Sequence, residues 1–413
     1  MLLKIEIENF FSIKNRIVLD FRAANIRTSK AKELSDNVFD WNGIKILKSI
    51  GLFGPNASGK SSILKAIEFC CRLILESHQN NEGTIFNFQP FKFDGYESRP
   101  SFFLVDFVCE GIEYEYAFTL DRTQIFTETL YYYPNGRKKV KIFTRDERCT
   151  KKYSFSSGTI LKPNDVTINT SGKSLFLSRA SSMNRELAQR LYRYFLNTFM
   201  LGLVNMNSTF VEDLFQKYKK LILKALSICD LDICDIMIRH DKIPAPVPSP
   251  FGGQAIQFPL MDILRFQTVH SRSGDVVFDM ETEESSGTKN LFSILLCLLD
   301  VVRNRKSLML DEFDASFHTR LAEFVLDLIH ASEQSQLLFT SHNTNLIDMS
   351  RLRRDQIIFV NKQADGSTEI YSLYDFKDFR ENMNAEKAYI QGRFDAIPFV
   401  DSSVASLKQL LGE

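Results

Sequence analysis

The chain has 413 residues, of which 44% are hydrophobic, and 51 Lys and Arg residues balance 51 Asp and Glu residues. This length suffices for one large domain with an insertion or for two domains. The zero net charge excludes a global attraction to nucleic acid or membranes, though not local basic patches. The seven cysteines form no CxxC pair, which excludes the standard zinc motifs and favours reduced thiols in a cytoplasmic protein. The longest apolar stretch, 291–302, contains Asp300 and is too short for a membrane span.

The first part of the chain predicts strands and one strong helix. MLLKIEIENFF alternates apolar and charged residues, which indicates a strand rather than a signal peptide. Residues 44–53 predict a second, buried strand, and the apolar face of 60–75 predicts a helix. Alternation over 101–130, with turns near Glu110 and Asp121, predicts an antiparallel meander.

The middle of the chain has a different pattern. Residues 178–199 and 208–228 predict two amphipathic helices, and PAPVPSPFGG at 244–253 predicts a linker. Two strands, an apolar helix, a buried strand, a second helix and another buried strand are expected to follow. We therefore expect an N-terminal lobe (1–145), a mainly helical insertion with a linker (146–255) and a C-terminal lobe (256–413).

GPNASGKSS at 54–62 follows the buried strand and opens the helix, which is the strand-loop-helix context of a P-loop. The glycines let backbone N–H groups face a phosphate, and the helix N-terminus adds partial positive charge. Lys60 is expected to reach the β- and γ-phosphates of ATP, and the Ser61 hydroxyl to hold Mg²⁺. The residues expected to bind the nucleotide here are Gly54, Pro55, Asn56, Ala57, Ser58, Gly59, Lys60, Ser61 and Ser62.

Two later strands end in residues suited to the same chemistry. SLMLDEFD predicts a buried strand ending in Asp311, which can hold Mg²⁺, and Glu312, which can activate the attacking water. QLLFTSH places His342 at the end of a strand expected to neighbour Asp311, where it could sense the γ-phosphate. The alternative for Asp311 and Glu312 is an acidic strand end without a catalytic role, and the alternative for His342 is a purely structural histidine.

These motifs, in this order, resemble those of the ABC-type ATPases, specifically the SMC/RecF/OLD-like branch, in which a long insertion divides the head. The resemblance implies an α/β fold: an ABC ATPase head with a mixed sheet, an antiparallel β subdomain and a helical insertion. Ser285, Ser286, Gly287 and Thr288 resemble the signature loop, usually Leu-Ser-Gly-Gly-Gln, although Ser286 replaces a Gly and Thr288 replaces the Gln. In this family the loop caps the γ-phosphate bound to the other subunit, so a homodimer at least, or a larger ring, is implied.

The same resemblance assigns two further loops. Asp314, Ala315 and Ser316 match the D-loop, which crosses the dimer seam, and Gln89 is the candidate Q-loop ligand of Mg²⁺. ESSGTKNLFSIL, LDEFDASFH and QLLFTSHNTNLI are most similar to the short prokaryotic AAA_15/AAA_21 ATPases of antiviral defence, including PARIS and abortive-infection ATPases. That resemblance implies a slow ATPase that controls a separate, nuclease-like effector protein.

Three alternatives are weighed against this interpretation. A self-contained OLD-type nuclease is disfavoured because too few residues follow Glu312 for a Toprim domain, and the DxD at 230–232 lacks the strand context. SMC-like arms are disfavoured because sustained heptads are missing. A DNA-repair ATPase of RecF or SMC type stays open, although the basic clusters at 137–139, 217–220, 303–306 and 351–354 look more like solvated faces than a nucleic-acid site.

Overall fold

The computed structural model describes residues 1–134, 138–244, 260–272, 274, 276–315, 318–380, 382–397, 403 and 409–411. In chain order the strands are β1 (Leu2–Glu8), β2 (Ile17–Asp20), β3 (Val38–Trp41), β4 (Ile44–Leu47), β5 (Ser49–Phe53), β6 (Ser101–Cys109), β7 (Ile112–Leu120), β8 (Ile125–Tyr133), β9 (Val140–Asp146), β10 (Tyr153–Phe155), β11 (Phe199–Leu201), β12 (Ile233–Pro244), β13 (Leu260–His270), β14 (Val277–Asp279), β15 (Ser307–Leu310), β16 (Gln336–Ser341), β17 (Ile357–Lys362) and β18 (Thr368–Ser372). The helices are α1 (Ser29–Glu33), α2 (Lys60–Glu76), α3 (Pro163–Ile168), α4 (Phe176–Ser182), α5 (Glu186–Thr198), α6 (Thr209–Ile228), α7 (Ser286–Asn304), α8 (Thr319–His330) and α9 (Ala385–Ile390).

The N-terminal strands form an antiparallel sheet in the order β10-β9-β8-β7-β6-β1-β2. The predicted meander is confirmed, because β6, β7 and β8 pair consecutively with turns at 110–111 and 121–124. Apolar side chains of this sheet pack on α2, α4 and α5 in one hydrophobic core. The helices at the start of the predicted insertion therefore belong to the same core as the P-loop helix.

A second sheet has the order β11-β15-β16-β5-β17-β18. All neighbours pair in parallel except β17 and β18, which are antiparallel. Every residue of β5, β15 and β16 is buried, which explains why their apolar residues are consecutive rather than alternating. Because parallel strands end at the same edge, the loops after β5, β15 and β16 lie side by side.

The apolar helix α7 covers this second sheet. Its residues between Leu291 and Val301 are almost all buried, against α6, α8 and β15. A third sheet, in the order β12-β13-β14, leads directly into α7. In the described part of the chain no helix is long and apolar enough to cross a membrane.

Three sequence predictions need correction. Residues 44–53 form two strands, because Lys48 turns inward to donate hydrogen bonds to the carbonyls of His330 and Ser332. The helix predicted at 178–199 is two helices, α4 and α5, separated at Asn184 by a left-handed backbone (φ 61°). Strand β12 was not predicted, because charged residues obscure the apolar alternation of IMIRHDKI. The predicted linker at 244–253 lies outside the described residues from residue 245 onward.

The fold class predicted from the sequence is confirmed. The chain is α/β, with a mixed central sheet, an antiparallel β subdomain and an insertion between the P-loop strand and the strand that ends in Asp311. The boundaries at 145 and 255 stay predictions. The helices between these boundaries belong to two separate hydrophobic cores. Helices α4 and α5 pack in the same core as α2, and α6 packs in the same core as α7.

Candidate functional site

The P-loop connects the buried strand β5 to helix α2. Its backbone is left-handed at Ala57 (φ 60°) and Gly59 (φ 109°), with Ser58 between them. Alternating conformations of this kind turn successive N–H groups toward one point, and the first N–H groups of α2 have no partner within the helix. The loop is therefore shaped to hold an anion with its backbone.

Close packing behind the loop explains the requirement for glycine at two positions. A methyl group at Gly54 would lie 2.2 Å from the Val360 carbonyl oxygen in β17, and one at Gly59 would lie 2.0 Å from Thr368 Oγ1. Ser58 Oγ is buried without a hydrogen-bond partner among the described residues. An unpaired buried hydroxyl at the mouth of an anion-binding loop fits a phosphate oxygen as its partner.

Lys60, at the start of α2, lies in the mouth of this loop. Its Nζ donates to the carbonyl oxygens of Gly54 (2.8 Å) and Pro55 (2.9 Å), and the residue is 5% exposed. Burial lowers the pKa of Lys60 to about 8, while the carboxylates of Asp311 and Glu312 act in the opposite direction. The structure thus brings the P-loop lysine and the two acids within electrostatic reach of each other.

Strand β16 lies between β5 and β15, and its last residues contact the acids that follow β15. Thr340 Oγ1 donates to Asp311 Oδ1 (2.5 Å) and accepts from the Glu312 N–H (2.8 Å). Ser341 Oγ donates to Asp314 Oδ2 (2.9 Å). The expectation that the His342 strand neighbours the Asp311 strand is confirmed.

His342 Nε2 lies 3.9 Å from Glu312 Oε1, and both side chains are partly open to solvent. Burial lowers the pKa of His342, as does Lys60, so the neutral ring is favoured near neutral pH. Burial raises the pKa of Asp314, although the bond from Ser341 opposes this. Glu312 has a left-handed backbone (φ 46°), which aims it away from the line of β15.

The loop at 285–288 forms the start of α7. Ser285 is the N-cap residue, since its Oγ accepts from the Thr288 N–H (3.1 Å), and it is exposed together with Ser286. Gly287 is the second residue of the helix. Within the described residues, no hydrogen bond connects this loop to the P-loop of the same chain.

The loop is fixed from behind by two neighbours. Glu284 Oε1 lies 2.5 Å from Thr268 Oγ1 and 2.8 Å from His270 Nε2, both in β13. Asn290 Nδ2 donates to the Ala315 carbonyl oxygen (3.0 Å) in the loop after β15. The start of α7 and the predicted D-loop are thus in direct contact, whereas Ser316 lies outside the described residues.

The remaining predicted ligand, Gln89, lies beside the N-terminal loop. Its carbonyl oxygen accepts from the Phe11 N–H (2.7 Å). The residue after Phe11, Ser12, donates from its Oγ to the Ser62 hydroxyl of α2 (3.2 Å). Gln89 is half-buried, and its side chain makes no hydrogen bond with the described residues. Its role as a metal ligand stays a prediction.

The side chains proposed for the metal all offer oxygen, through the hydroxyl of Ser61, the carboxylate of Asp311 and the amide of Gln89. Hard oxygen ligands of this kind suit Mg²⁺, which binds through one or two carboxylates and substrate phosphates. Thr340 engages one oxygen of Asp311 and leaves the other without a hydrogen bond among the described residues. This donor set fits Mg²⁺ held together with a nucleotide.

Comparison with known proteins gives the family. Residues 49–348, more than half of the chain, match the AAA_21 model, which is described as "AAA domain, putative AbiEii toxin, Type IV TA system". The chain belongs to this AAA_21 family. The match includes the P-loop, the acids after β15 and His342, and it supports an ATPase domain of the AAA/ABC type, which implies nucleotide binding.

The AAA_21 chain is also similar to solved structures of SMC heads. An SMC head domain from Thermotoga maritima has 16% sequence identity, with 90% of this chain and 98% of that chain covered and a TM-score of 0.36. An Smc head domain with an extended coiled coil, bound to the C-terminal domain of ScpA and derived from Pyrococcus furiosus, has 14% identity, with 95% and 98% covered and a TM-score of 0.41. No curated protein matches the chain in sequence.

Two threonines that the sequence did not point to contact the predicted site residues, and each lies in a strand other than the one that precedes those residues. Thr368 Oγ1 in β18 lies 2.8 Å from the Ser58 carbonyl oxygen and 2.8 Å from Ser12 Oγ. Thr340 contacts both acids after β15. Thr340 precedes the predicted Ser-His strand end, which was a usable signal, whereas nothing local distinguishes Thr368.

Proposed function

We propose that this protein is an ATP-binding and ATP-hydrolysing switch that works as a pair of heads. The single observation that carries the proposal is the meeting of Lys60, Asp311, Glu312 and His342 at the shared ends of β5, β15 and β16. Each of these residue types has a distinct task in phosphoryl transfer, and a purely structural cluster would not need all of them.

The tasks follow from the positions of the side chains. Lys60 and the P-loop backbone would hold the β- and γ-phosphates, and Ser61 with Asp311 would hold Mg²⁺, which supplies charge neutralisation on the phosphates. Glu312, whose shortest contact with a basic side chain of the described residues is the one with His342 at 3.9 Å, would accept a proton from the attacking water. His342 lies 3.9 Å from Glu312, is favoured in its neutral form, and would orient Glu312 or sense the γ-phosphate.

A second copy of the chain would complete the site. Ser285 and Ser286 are exposed, and the 285–288 loop makes no hydrogen bond to its own P-loop among the described residues, while its N-terminal N–H groups suit an anion. We therefore propose that this loop caps the γ-phosphate on the partner copy. Asp314, through its contact with Ser341, would link the dimer seam to the strand that carries His342.

We further propose that the switch acts in the cytoplasm in prokaryotic antiphage defence, where it controls a separate effector protein. The support is the family description, which names a putative toxin of a type IV toxin–antitoxin system. All seven cysteines are free, as expected in a reducing compartment. A PARIS-type or abortive-infection ATPase subunit is the specific setting that we propose.

DNA maintenance of the RecF or SMC type is the second candidate, and the four basic clusters bear on it. Each cluster has at least one cation already paired with a carboxylate, which reduces the charge available to a phosphate backbone. The pairs are Lys139–Glu115, Lys219–Asp235, Lys306–Asp300 and Arg351–Asp327. This pairing favours the defence switch over a DNA-dependent ATPase.

The test is phosphate release from ATP by the purified chain, with and without duplex DNA at 50 and 200 mM salt. We expect slow hydrolysis that requires Mg²⁺, is absent in Lys60→Ala protein and is indifferent to DNA. Stimulation by DNA that falls steeply with salt would support the second candidate instead. A wild-type chain that neither binds nor hydrolyses ATP would contradict both.

A further inference from the structure

Two polar residues end strand β16 and a third follows it directly, and each of the three lies opposite a different acid of the loop after β15. Thr340 bonds Asp311, Ser341 bonds Asp314, and His342 lies 3.9 Å from Glu312. The parallel pairing of Leu310 with Phe339 sets this register. The acids are therefore positioned by the neighbouring strand as well as by their own.

Thr340 makes the most constrained of these contacts. Its hydroxyl is fully buried and uses both of its capacities, since it donates its one proton to Asp311 Oδ1 (2.5 Å) and accepts from the Glu312 N–H (2.8 Å). A donor on Oδ1 fixes the rotation of the Asp311 carboxylate. It also leaves Oδ2 as the oxygen that is free to bind something else.

The second bond bears on the backbone of Glu312. That residue has φ 46°, a conformation that side chains other than glycine adopt only where surrounding contacts impose it. The bond from its N–H to the buried hydroxyl is such a contact. Because the direction of the Glu312 side chain follows from this backbone conformation, the same hydroxyl influences where the Glu312 carboxylate points.

We propose that Thr340 is a positioning residue, which sets the Asp311 carboxylate for the metal and the Glu312 backbone for hydrolysis through one hydroxyl group. This inference rests on the proposed ATPase function and adds a residue to it. Thr340 does not reach the nucleotide, because both partners of its hydroxyl are protein groups. Thr340 therefore affects metal binding and turnover, and not the affinity of the P-loop for phosphate.

The competing explanation is that Thr340 only fills space in the buried strand. Three variants separate the two. Thr340→Val keeps the shape and removes the hydroxyl, and Thr340→Ser keeps the hydroxyl and removes a methyl group. Thr119→Val removes a hydroxyl that lies 2.7 Å from Thr127 Oγ1 in the antiparallel sheet, remote from the site, and is the matched control.

The experiment measures three quantities for each variant: affinity for a fluorescent ATP analogue in EDTA, Mn²⁺ binding with a non-hydrolysable ATP analogue by electron paramagnetic resonance, and hydrolysis at saturating Mg²⁺. For Thr340→Val we expect nucleotide affinity in EDTA within about twofold of wild type, but a Mn²⁺ half-saturation about tenfold higher and turnover about 10 to 100-fold lower. Thr340→Ser should recover both to within about threefold, and Thr119→Val should match wild type.

Several results would overturn the inference. Thr340→Val with wild-type Mn²⁺ binding and turnover would show that the hydroxyl does not position the acids. Equal impairment of Thr340→Ser and Thr340→Val, or a melting temperature of Thr340→Val more than about 10 °C below wild type, would assign the residue to packing or stability. A wild-type chain that binds no ATP analogue would instead overturn the proposed function, and the inference would fall with it.

Discussion

Lys60 Nζ donates to the Gly54 carbonyl oxygen at 2.8 Å, so the P-loop lysine is held by its own loop. Removing this ammonium group removes the charge that a triphosphate would meet, without leaving a buried charge unpaired. We expect Lys60→Ala protein to stay folded and to lose at least about 100-fold in affinity for ATP, of the order of 3 kcal/mol. Lys65→Ala, an exposed position on the same helix, is the control for titrations with a fluorescent nucleotide. Comparable losses in the two variants would contradict the assignment of Lys60.

Gly54 lies against a backbone atom that has little freedom to move. A methyl group there would be 2.2 Å from the Val360 carbonyl oxygen, so Gly54→Ala must push β17 and the P-loop apart. We expect a loss of about 1–3 kcal/mol in the free energy of unfolding together with weaker ATP binding. Gly83→Ala is the control, because its methyl group would meet no atom closer than 3.5 Å. Urea unfolding of both variants makes the measurement, and equal stabilities would refute the packing argument.

Glu128 and Arg145 form a fully buried ion pair that connects the antiparallel sheet to α4. Glu128 also accepts from the N–H groups of Phe176 (2.6 Å) and Leu177 (2.9 Å) at the start of that helix. We expect Glu128→Ala to cost about 3–5 kcal/mol in the free energy of unfolding, because Arg145 would keep only Glu147 as a counter-charge and the buried donors that Glu128 accepts from would lose their acceptor. Glu68→Ala, which breaks an exposed pair with Arg72, should cost less than about 1 kcal/mol. Denaturant titrations in which the two variants lose equal stability would disprove this account.

His330 makes the free energy of unfolding depend on pH. Its buried ring contacts Ser49 Oγ (2.8 Å) and Gln356 Nε2 (3.4 Å), and burial lowers its pKa from 6.5 to about 4. The unfolded chain takes up a proton on this ring near pH 6.5 and the folded chain does not, so the free energy of unfolding falls as pH drops from about 6.5 to 4. The expected slope from this group is about 1.4 kcal/mol per pH unit. In urea titrations His330→Gln protein should lack this part of the slope, and parallel curves for the two proteins would contradict the prediction.

Local sequence was sufficient to predict an element wherever the structure of that element depends on its own residues. The P-loop between β5 and α2 needs its glycines and lysine in one run, and the β6–β8 meander needs only alternation and two turns. The acids at 311–312 were recognisable because a short run of apolar residues, 308–310, precedes them. Most of the predicted site residues were identified from these local patterns.

Contacts between distant strands could not be predicted in the same way. Nothing in the sequence near Thr340 says that its hydroxyl lies 2.5 Å from Asp311, since that distance depends on the register of β15 and β16. Lys48 interrupts an apolar run because the carbonyl groups of His330, at the end of α8, and of Ser332 are within its reach. Pairing of β12 with β13 likewise depends on partners separated by the residues after 244.

We propose that ATP joins two copies of this chain through the loop at 285–288, in which Ser285 and Ser286 are exposed. The most direct test is the solution mass of Glu312→Gln protein, with and without Mg·ATP, beside the Glu312→Gln, Ser285→Arg double variant. We expect ATP to double the mass of the single variant, since slowed hydrolysis traps the joined state, and to leave the double variant unchanged while it still binds ATP. A mass that is indifferent to ATP, or a double variant that associates as fully as the single one, would contradict the claim.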